Sequence, residues 1–423
     1  MKKLFFLAAF LFLCIISGCE KDDSLDELLE NDLKNTTANF TLPINPIDID
    51  KGEIVIKYEE GLSEAGKQEI RDQYQVTEYK KCECADPTLE LWVFVIDSSG
   101  ETSSGLTLET VVNGTRETLG VEGSQMNTII KHKGGKLNSA FGPDDITSAT
   151  NLLKSSNNGV TIAVLDTGID HNYFGFELPF IYNNSLNTNA CIDDDMIDYV
   201  GWNFVDNNNI PFDNHGHGTQ ASYMIYEKLT AQNINFQILP VKVFDENGNA
   251  RYFDILCGFK YILNNSDVKI INMSFGWYGT EYTLLREFIE SAQDDVLIIA
   301  SAGNESNDND IIAHYPSSYN SNNILSIASW NGNTYNSGLS KFSNYGTQSV
   351  DIAAPGQNIP FYIDENDYIL LSGTSYASAY TSAIAGTLYT PGIAPMQHIE
   401  SILYTCTLSN NLTDIKYQSY LDY

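Results

Sequence analysis

Four side chains carry the chemistry this sequence can do, each at the end of an apolar run or the start of a helical one. Asp166 closes VTIAVLD and is followed by Thr167-Gly168. His217 lies in HGHGTQAS, just ahead of the helical pattern ASYMIYEKL. Asn304 closes IIASAGN, and Ser375 lies in SGTSYASAYTSAIAGTL, where a small-residue turn opens a helix. A serine hydroxyl is a weak nucleophile until a base takes its proton. Imidazole is the side chain suited to that task near neutral pH, and a carboxylate can hold it in one tautomer. An amide N–H beside them can stabilise an oxyanion.

Taken singly, each residue has a plainer explanation. A strand-final Asp before Thr-Gly is often a turn residue, a Ser before a helix is often an N-cap, and an Asn in a Gly turn supports that turn. Asp-Thr-Gly also occurs in aspartic proteases, which need a second such Asp that this sequence lacks. His215 and His217 could pair on a metal, although zinc generally takes a third protein ligand. The four residues together form a constellation that no single motif makes.

The elements that must position them read as an α/β fold with a mostly parallel central sheet. GVTIAVLD, FQILPVKVF, VKIINMSFG, DVLIIASAG and NILSIASW are β-branched runs of nearly continuous apolar character. Such runs mark strands covered on both faces, and they alternate here with helical segments. In sheets of this kind ligands bind beyond the carboxyl ends of the strands, where Asp166 and Asn304 stand. Ahead of them, residues 52–97 form a separate pattern of strand (GEIVIKY), helix (LSEAGKQEIRDQYQV, with Ser63 as its cap) and strand (LELWVFVI). The stretch 98–135, richer in Gly, Ser and Thr, is expected to hold a hairpin and then a connector.

Composition narrows the function without naming it. The 423 residues hold 55 Asp and Glu against 23 Lys and Arg, a net charge of −32. That balance excludes nucleic acid as a partner, because phosphates are bound by Lys and Arg. With 43% hydrophobic and 12% aromatic residues the chain can build a sizeable core, so wholesale disorder is excluded as well. At the N-terminus, Lys2 and Lys3 precede the apolar run 4–16 and then Ser17-Gly18-Cys19, the pattern of an export signal. Ile16-Ser17-Gly18-Cys19 resembles a bacterial lipobox, which implies cleavage before Cys19 and its acylation. Glu20-Lys21-Asp22-Asp23 resembles the acidic tag of surface lipoproteins. Of the 7 cysteines, those left after Cys14 and Cys19 show no disulfide framework, and Cys82 and Cys84 read as free thiols in a loop.

Together the motifs resemble the subtilisin family (subtilases, S8) of serine proteases, over roughly 140–410. AVLDTGID is similar to that family's aspartate segment, GHGTQAS to its histidine segment and GTSYAS to its serine segment. LPVKVFDENG, INMSFG, SAGN, HYP and AAPG fall in family order between them. The resemblance implies a subtilisin-like three-layer sandwich preceded by a small α+β propeptide-like domain. The expected division is a lipoprotein signal peptide at 1–18, an acidic tether at 19–50, the propeptide-like domain and connector at 51–135, and the catalytic domain at 136–423.

The same resemblance implies roles. Asp166, His217 and Ser375 would be the triad, with His217 preferred over His215 because it alone sits in Gly-His-Gly-Thr. Asn304 would line the oxyanion hole. Ser274-Phe275-Gly276 and Ser301-Ala302-Gly303 would be the two walls that bind substrate, with Glu305 at the rim or in solvent. Gln220 and Ala379 depart from the family pattern. The expected function is a serine endopeptidase made as a zymogen, acting on protein or peptide substrates and on its own propeptide. It would be anchored through Cys19 at the cell envelope, on the outer membrane. The alternatives are a catalytically silent binding protein of the same shape and a metal hydrolase using His215 and His217. No cofactor is required; Asp193-Asp194-Asp195 with Asp198 could take Ca²⁺, but no EF-hand spacing supports it.

Overall fold

The computed structural model describes residues 51–422, apart from 83–84, 133–158, 175–179, 183–191, 194–195, 198–199, 266, 333–337 and 364–366. The signal, Cys19, the tether, the 133–158 stretch and Asp194, Asp195 and Asp198 of the acidic loop therefore lie outside the described residues.

The N-terminal part is an antiparallel sheet of β1 (Lys51–Tyr58), β2 (Glu78–Lys81), β3 (Leu89–Val95) and β4 (Val121–Met126), in the order β2-β3-β1-β4. Helix α1 (Glu64–Gln73) starts at Ser63, whose Oγ accepts the Gly66 N–H at 3.1 Å. Helix α2 (Leu108–Arg116) starts at Thr107, whose Oγ1 accepts the Thr110 N–H. The expected hairpin in 98–135 is reduced to one antiparallel bridge, Glu101 to Thr107, and a helix and the edge strand β4 follow it. The Gly, Ser and Thr that suggested a hairpin serve the turn before Thr107, while Val111 and Val112 are buried as the helix's inner face.

Strand β1 is covered on both faces, one of them apolar and the other mixed, with Val55 flanked by Glu53 and Lys57. Ile54, Ile56 and Tyr58 join Ile70, Val111 and Trp92 beneath the two helices. Val55, with Leu89 and Leu91 of β3, belongs instead to a core shared with Phe253, Leu256 and Phe288 of the C-terminal part. Beneath α1, the fully buried Glu90 takes Arg71 Nη1 at 2.6 Å, Tyr58 Oη at 2.9 Å and Trp92 Nε1 at 3.0 Å. A buried carboxylate is tolerated only when charge and hydrogen bonds surround it.

The C-terminal part is a three-layer α/β sandwich. Its strands are β6 (Val160–Asp166), β7 (Trp202–Asn203), β8 (Phe236–Lys242), β10 (Val268–Met273), β11 (Leu297–Ser301), β12 (Ile324–Trp330), β13 (Ile352–Pro355), β14 (Thr407–Leu408) and β15 (Ser419–Tyr420). Two short strands, β5 (Ile129–Lys131) and β9 (Asn249–Arg251), pair apart from them. The sheet order is β14-β15-β13-β12-β11-β10-β6-β8-β7, parallel except for the outermost β14. Its residues alternate between two cores. Ile162 and Val164 face α3 (His217–Ala231) and α6 (Thr374–Leu388), while Ala163 and Leu165 face α4 (Tyr252–Leu263) and α5 (Thr283–Ser291). This two-sided burial is why each strand reads as a continuous apolar run.

Replacing Arg71 by Ala should leave Glu90 as an uncompensated buried charge and cost about 3–5 kcal/mol of stability. Urea denaturation reads this directly. The double variant Arg71→Met with Glu90→Leu should regain most of the loss.

Candidate active site

The carboxyl ends of β6, β10 and β11 and the N-termini of α3 and α6 bring the singled-out residues to one place. The carboxylate of Asp166 is fully buried, and both of its oxygens face His217 Nδ1, at 2.8 and 2.9 Å. Burial alone would push this carboxyl up. The facing imidazole, its hydrogen bond and the Thr167 N–H outweigh that and hold it below the usual range, so it stays ionised. The structure therefore pairs Asp166 with His217 and not with His215.

The loop and helix start are joined by contacts that explain the motif residues. Gly218 N–H donates to Thr167 Oγ1 at 2.8 Å, and a Cβ on Gly218 would lie 2.3 Å from the Gly168 carbonyl oxygen. Asp170 N–H donates to Thr219 Oγ1 at 2.9 Å. The buried Lys242 ammonium donates to the carbonyls of Thr167 and Phe244 at 2.7 and 2.9 Å, fixing the turn after Asp166 from below. Asp213 ties down the other side: Oδ1 accepts the N–H groups of His215 and Gly216, and Oδ2 accepts the N–H and hydroxyl of Thr219. It supplies the cap that Gly216, at the N-cap of α3, lacks.

Ser375 sits in the first turn of α6, and Asn304 approaches the same helix start. Asn304 Oδ1 accepts both the N–H and the hydroxyl of Thr374, at 2.8 and 3.0 Å, which leaves its NH₂ as the free end. The Ser375 hydroxyl donates to the Ser274 carbonyl at 3.0 Å, and His217 Nε2 has no hydrogen-bond partner. Serine and imidazole thus share one site, but the serine proton points at a backbone oxygen. Gln220, one of the departures from pattern, accepts the hydroxyl of Tyr376 at 2.6 Å, so the residue after the serine is tied to the histidine helix.

A model described as the subtilase family matches residues 157–410. The chain belongs to the subtilase family. It is 33% identical over 246 residues to the cell wall-associated protease of Bacillus subtilis (strain 168), covering 57% of this chain and 24% of that protein. Against the thermophilic serine proteinase of Bacillus sp. (strain AK1) the identity is 31% over 260 residues, with 60% and 58% covered. The chain thus spans less than two-thirds of either relative. Among solved structures, the epidermin leader peptide processing serine protease from Staphylococcus aureus superposes with a TM-score of 0.60 at 18% identity. It covers 88% of this chain and 98% of its own, and at that identity it speaks for the fold alone.

In this subtilase the two expected walls lie side by side. Ser274-Phe275-Gly276 follows β10 and Ser301-Ala302-Gly303 follows the adjacent β11. Gly276 is held against the buried His314 ring, and Gly303, at φ +105°, against Asn344 and the Tyr278 hydroxyl. Asn344 Nδ2 donates to the Ala302 carbonyl and the Tyr278 hydroxyl, while its Oδ1 accepts the N–H groups of Glu305 and Asn307. Glu305 is exposed, as a rim or loop carboxylate would be, and it is held in place there by the Tyr278 hydroxyl and the Asn304 N–H, which both donate to it. Among the described residues no group of three or more His, Cys, Asp or Glu side chains is placed to hold a metal.

Two contributors were missed in the sequence. Strand β5 lies antiparallel on β9, with Ala250 opposite Ile130, and His132 N–H donates to the Gly248 carbonyl. His132 then reaches the site itself. Its ring centroid is 3.6 Å from that of His217, and its Nε2 lies 3.2 Å from the Ser274 carbonyl that also holds the serine. Burial first, then the neighbouring His217 and His215, hold His132 neutral down to about 3, with Asp166 opposing. A lone histidine more than 80 positions before His215 and His217 offers no signal by spacing, so only the fold reveals it.

A released β5 would carry a histidine titrating near its ordinary 6.5, whereas the docked ring resists protonation down to about 3. Docking is therefore fully present above about pH 6.5 and weakens as pH falls, by about ten-fold per unit until about 3. Hydrogen exchange of the His132 amide, corrected for the intrinsic rate, should show this loss of protection between pH 7 and 5. A His132→Phe chain should keep its protection over the same range.

Proposed function

We propose that this subtilase is a serine endopeptidase, with Asp166, His217 and Ser375 as its triad and Asn304 in its oxyanion hole. The observation that carries this reading is the buried Asp166–His217 pair. Nδ1 is engaged by the carboxylate, Nε2 has no hydrogen-bond partner, and the Ser375 hydroxyl at the start of α6 donates to the Ser274 carbonyl that His132 Nε2 also approaches. The names of the two relatives, a protease and a serine proteinase, agree with it.

Asp166 fixes the Nδ1–H tautomer, so that Nε2 can accept a proton. When the Ser375 hydroxyl turns from Ser274 toward Nε2, its oxygen attacks the scissile carbonyl and His217 takes the proton. The oxyanion formed lies at the N-terminus of α6, where the Asn304 NH₂ and the Ser375 N–H donate and the helix dipole is positive. Asp166 stabilises the imidazolium. His217 then returns the proton to the leaving amine, and a water repeats the sequence on the acyl-enzyme. Substrates would be extended peptides laid against Ser274–Gly276 in one wall and Ser301–Gly303 in the other.

The N-terminal part supports a zymogen reading, because His132, at the end of β5, packs on His217 and approaches the Ser274 carbonyl of the wall that substrate would need. The lipobox-like Ser17-Gly18-Cys19 supports export and anchoring at the cell envelope through Cys19. No helix among the described residues is long and apolar enough to cross a membrane.

A fluorophosphonate probe should label the chain once β5 is displaced, and Ser375→Ala should abolish both labelling and peptide hydrolysis. Absence of labelling at every pH would refute the reading. Asn304→Ala should lower kcat by about 10²–10³, the range measured for loss of this donor in a protease of this family, with KM little changed. Metabolic labelling with a palmitate analogue should mark the wild type and not Cys19→Ser.

A further inference from the structure

We infer that the N-terminal part is a permanent second chain of this protein: cutting the segment between residues 132 and 159 leaves it covalently attached. The sequence suggested a free thiol at Cys82, but the structure joins Cys82 to Cys257 in a disulfide, with Cα atoms 5.8 Å apart and a sequence separation of 175. Spacing could not reveal this pair, because one cysteine follows β2 and the other sits in mid-α4.

The bond lies within a seam built for it. On α4, residues 254, 257 and 260, followed by the C-cap Asn264, recur at helical spacing and meet Lys80, Cys82, Asp86 and Ala85. Asp254 takes the Lys80 ammonium at 3.2 Å, Lys260 faces Asp86 at 3.6 Å, and Asn264 Nδ2 donates to the Ala85 carbonyl at 2.7 Å. Cys82 and Cys257 are 3% and 1% exposed, so soluble thiols reach the bond only when the seam opens.

The cleft contact is separate from this seam. It consists of the short β5–β9 pairing and His132 on His217, and the chain runs from His132 directly into the 133–158 segment. Hydrolysis of one peptide bond there consumes one water, yields a new carboxylate and a new amine, and leaves the sulfur–sulfur bond untouched. The end of β5 is then free to leave the cleft, while the sheet that carries it stays on α4. A tethered strand competes with substrate at an effective concentration that dilution cannot lower, in the millimolar range for short connections. The N-terminal part would thus remain a resident regulator and not a shed inhibitor. That regulatory meaning rests on the peptidase reading; covalent retention does not.

The test uses the chain with Ser375→Ala, to prevent self-cleavage, and a site-specific endoprotease sequence inserted between residues 145 and 146, so that the cut is certain. After cutting, the protein is unfolded in denaturant with free thiols blocked, and its mass is measured with and without reductant. One disulfide-linked species that separates only on reduction is expected, whereas Cys257→Ser should give two species without reductant. Separation without reductant while both cysteines are present overturns the inference. Should Cys257→Ser fail to fold, differential alkylation of the unmodified chain decides. Peptides carrying Cys82 and Cys257 should label only after reduction, and labelling beforehand overturns the inference. Neither readout depends on Ser375 being reactive, so failure of the peptidase reading would show separately.

Discussion

The structure depends on holding an ionised carboxylate in a dry interior beside an imidazole. Asp166 is wholly buried, and a charge in that position is tolerated only with a full set of partners. Two constraints follow. The β6 turn and the α3 start must approach until Gly218 lies against the Gly168 carbonyl, which leaves no room for a side chain at 218, while the Pro211 carbonyl leaves none at 168. The turn must also be supported from below, and Lys242 does this by spending its donors on the Thr167 and Phe244 carbonyls. Lys242 is buried too, and burial lowers its own pKa while Asp213 and other carboxylates oppose the shift. Much of the acidic charge near the site is therefore structural, balancing a cation the fold needs.

The N-terminal part completes elements that the C-terminal part leaves unfinished. Neither Arg251 nor Tyr282, at the N-caps of α4 and α5, offers a side-chain hydrogen bond to its helix. Asn127 Oδ1 accepts the Phe253 N–H at 2.9 Å, and Gln125 Oε1 accepts the Leu284 N–H at 3.3 Å. Both helix starts are thus capped from β4 and the turn after it. Orphan N–H groups at a helix start need such partners, so the two parts share cap hydrogen bonds as well as an apolar core and a disulfide. The outer sheet and the sandwich are mutually stabilising in a way that a loosely docked module would not be.

What the sequence disclosed and what it hid divide along physical lines. The five apolar runs became strands because two-sided burial imposes apolar residues at every position, a demand visible without the fold. The Asp166, His217, Asn304 and Ser375 motifs were legible because close backbone approach fixes the glycines and small residues around them. By contrast, α2 was hidden by the Gly, Ser and Thr before it, although Thr107 is itself a cap. Asp213 looked like one acidic loop residue among many, since nothing local shows that its carboxylate folds back on Thr219. The Cys82–Cys257 pair and His132 are products of docking between distant segments, and no local pattern records such contacts.

The Ser274 carbonyl connects the resting arrangement with the proposed reaction. It accepts the Ser375 hydroxyl and lies within reach of His132, so one oxygen holds both the Ser375 proton and the His132 ring. Under the peptidase reading this same wall is where an extended substrate would place a backbone N–H. A substrate that displaces β5 would then also compete for the acceptor of the serine hydroxyl. The hydroxyl, losing that partner, has His217 Nε2 as its open alternative. Binding and alignment of the nucleophile would be one event, because a buried donor must find a new acceptor when its first is taken. Under that reading the unpartnered imidazole nitrogen is the position the serine proton would take once substrate occupies the cleft.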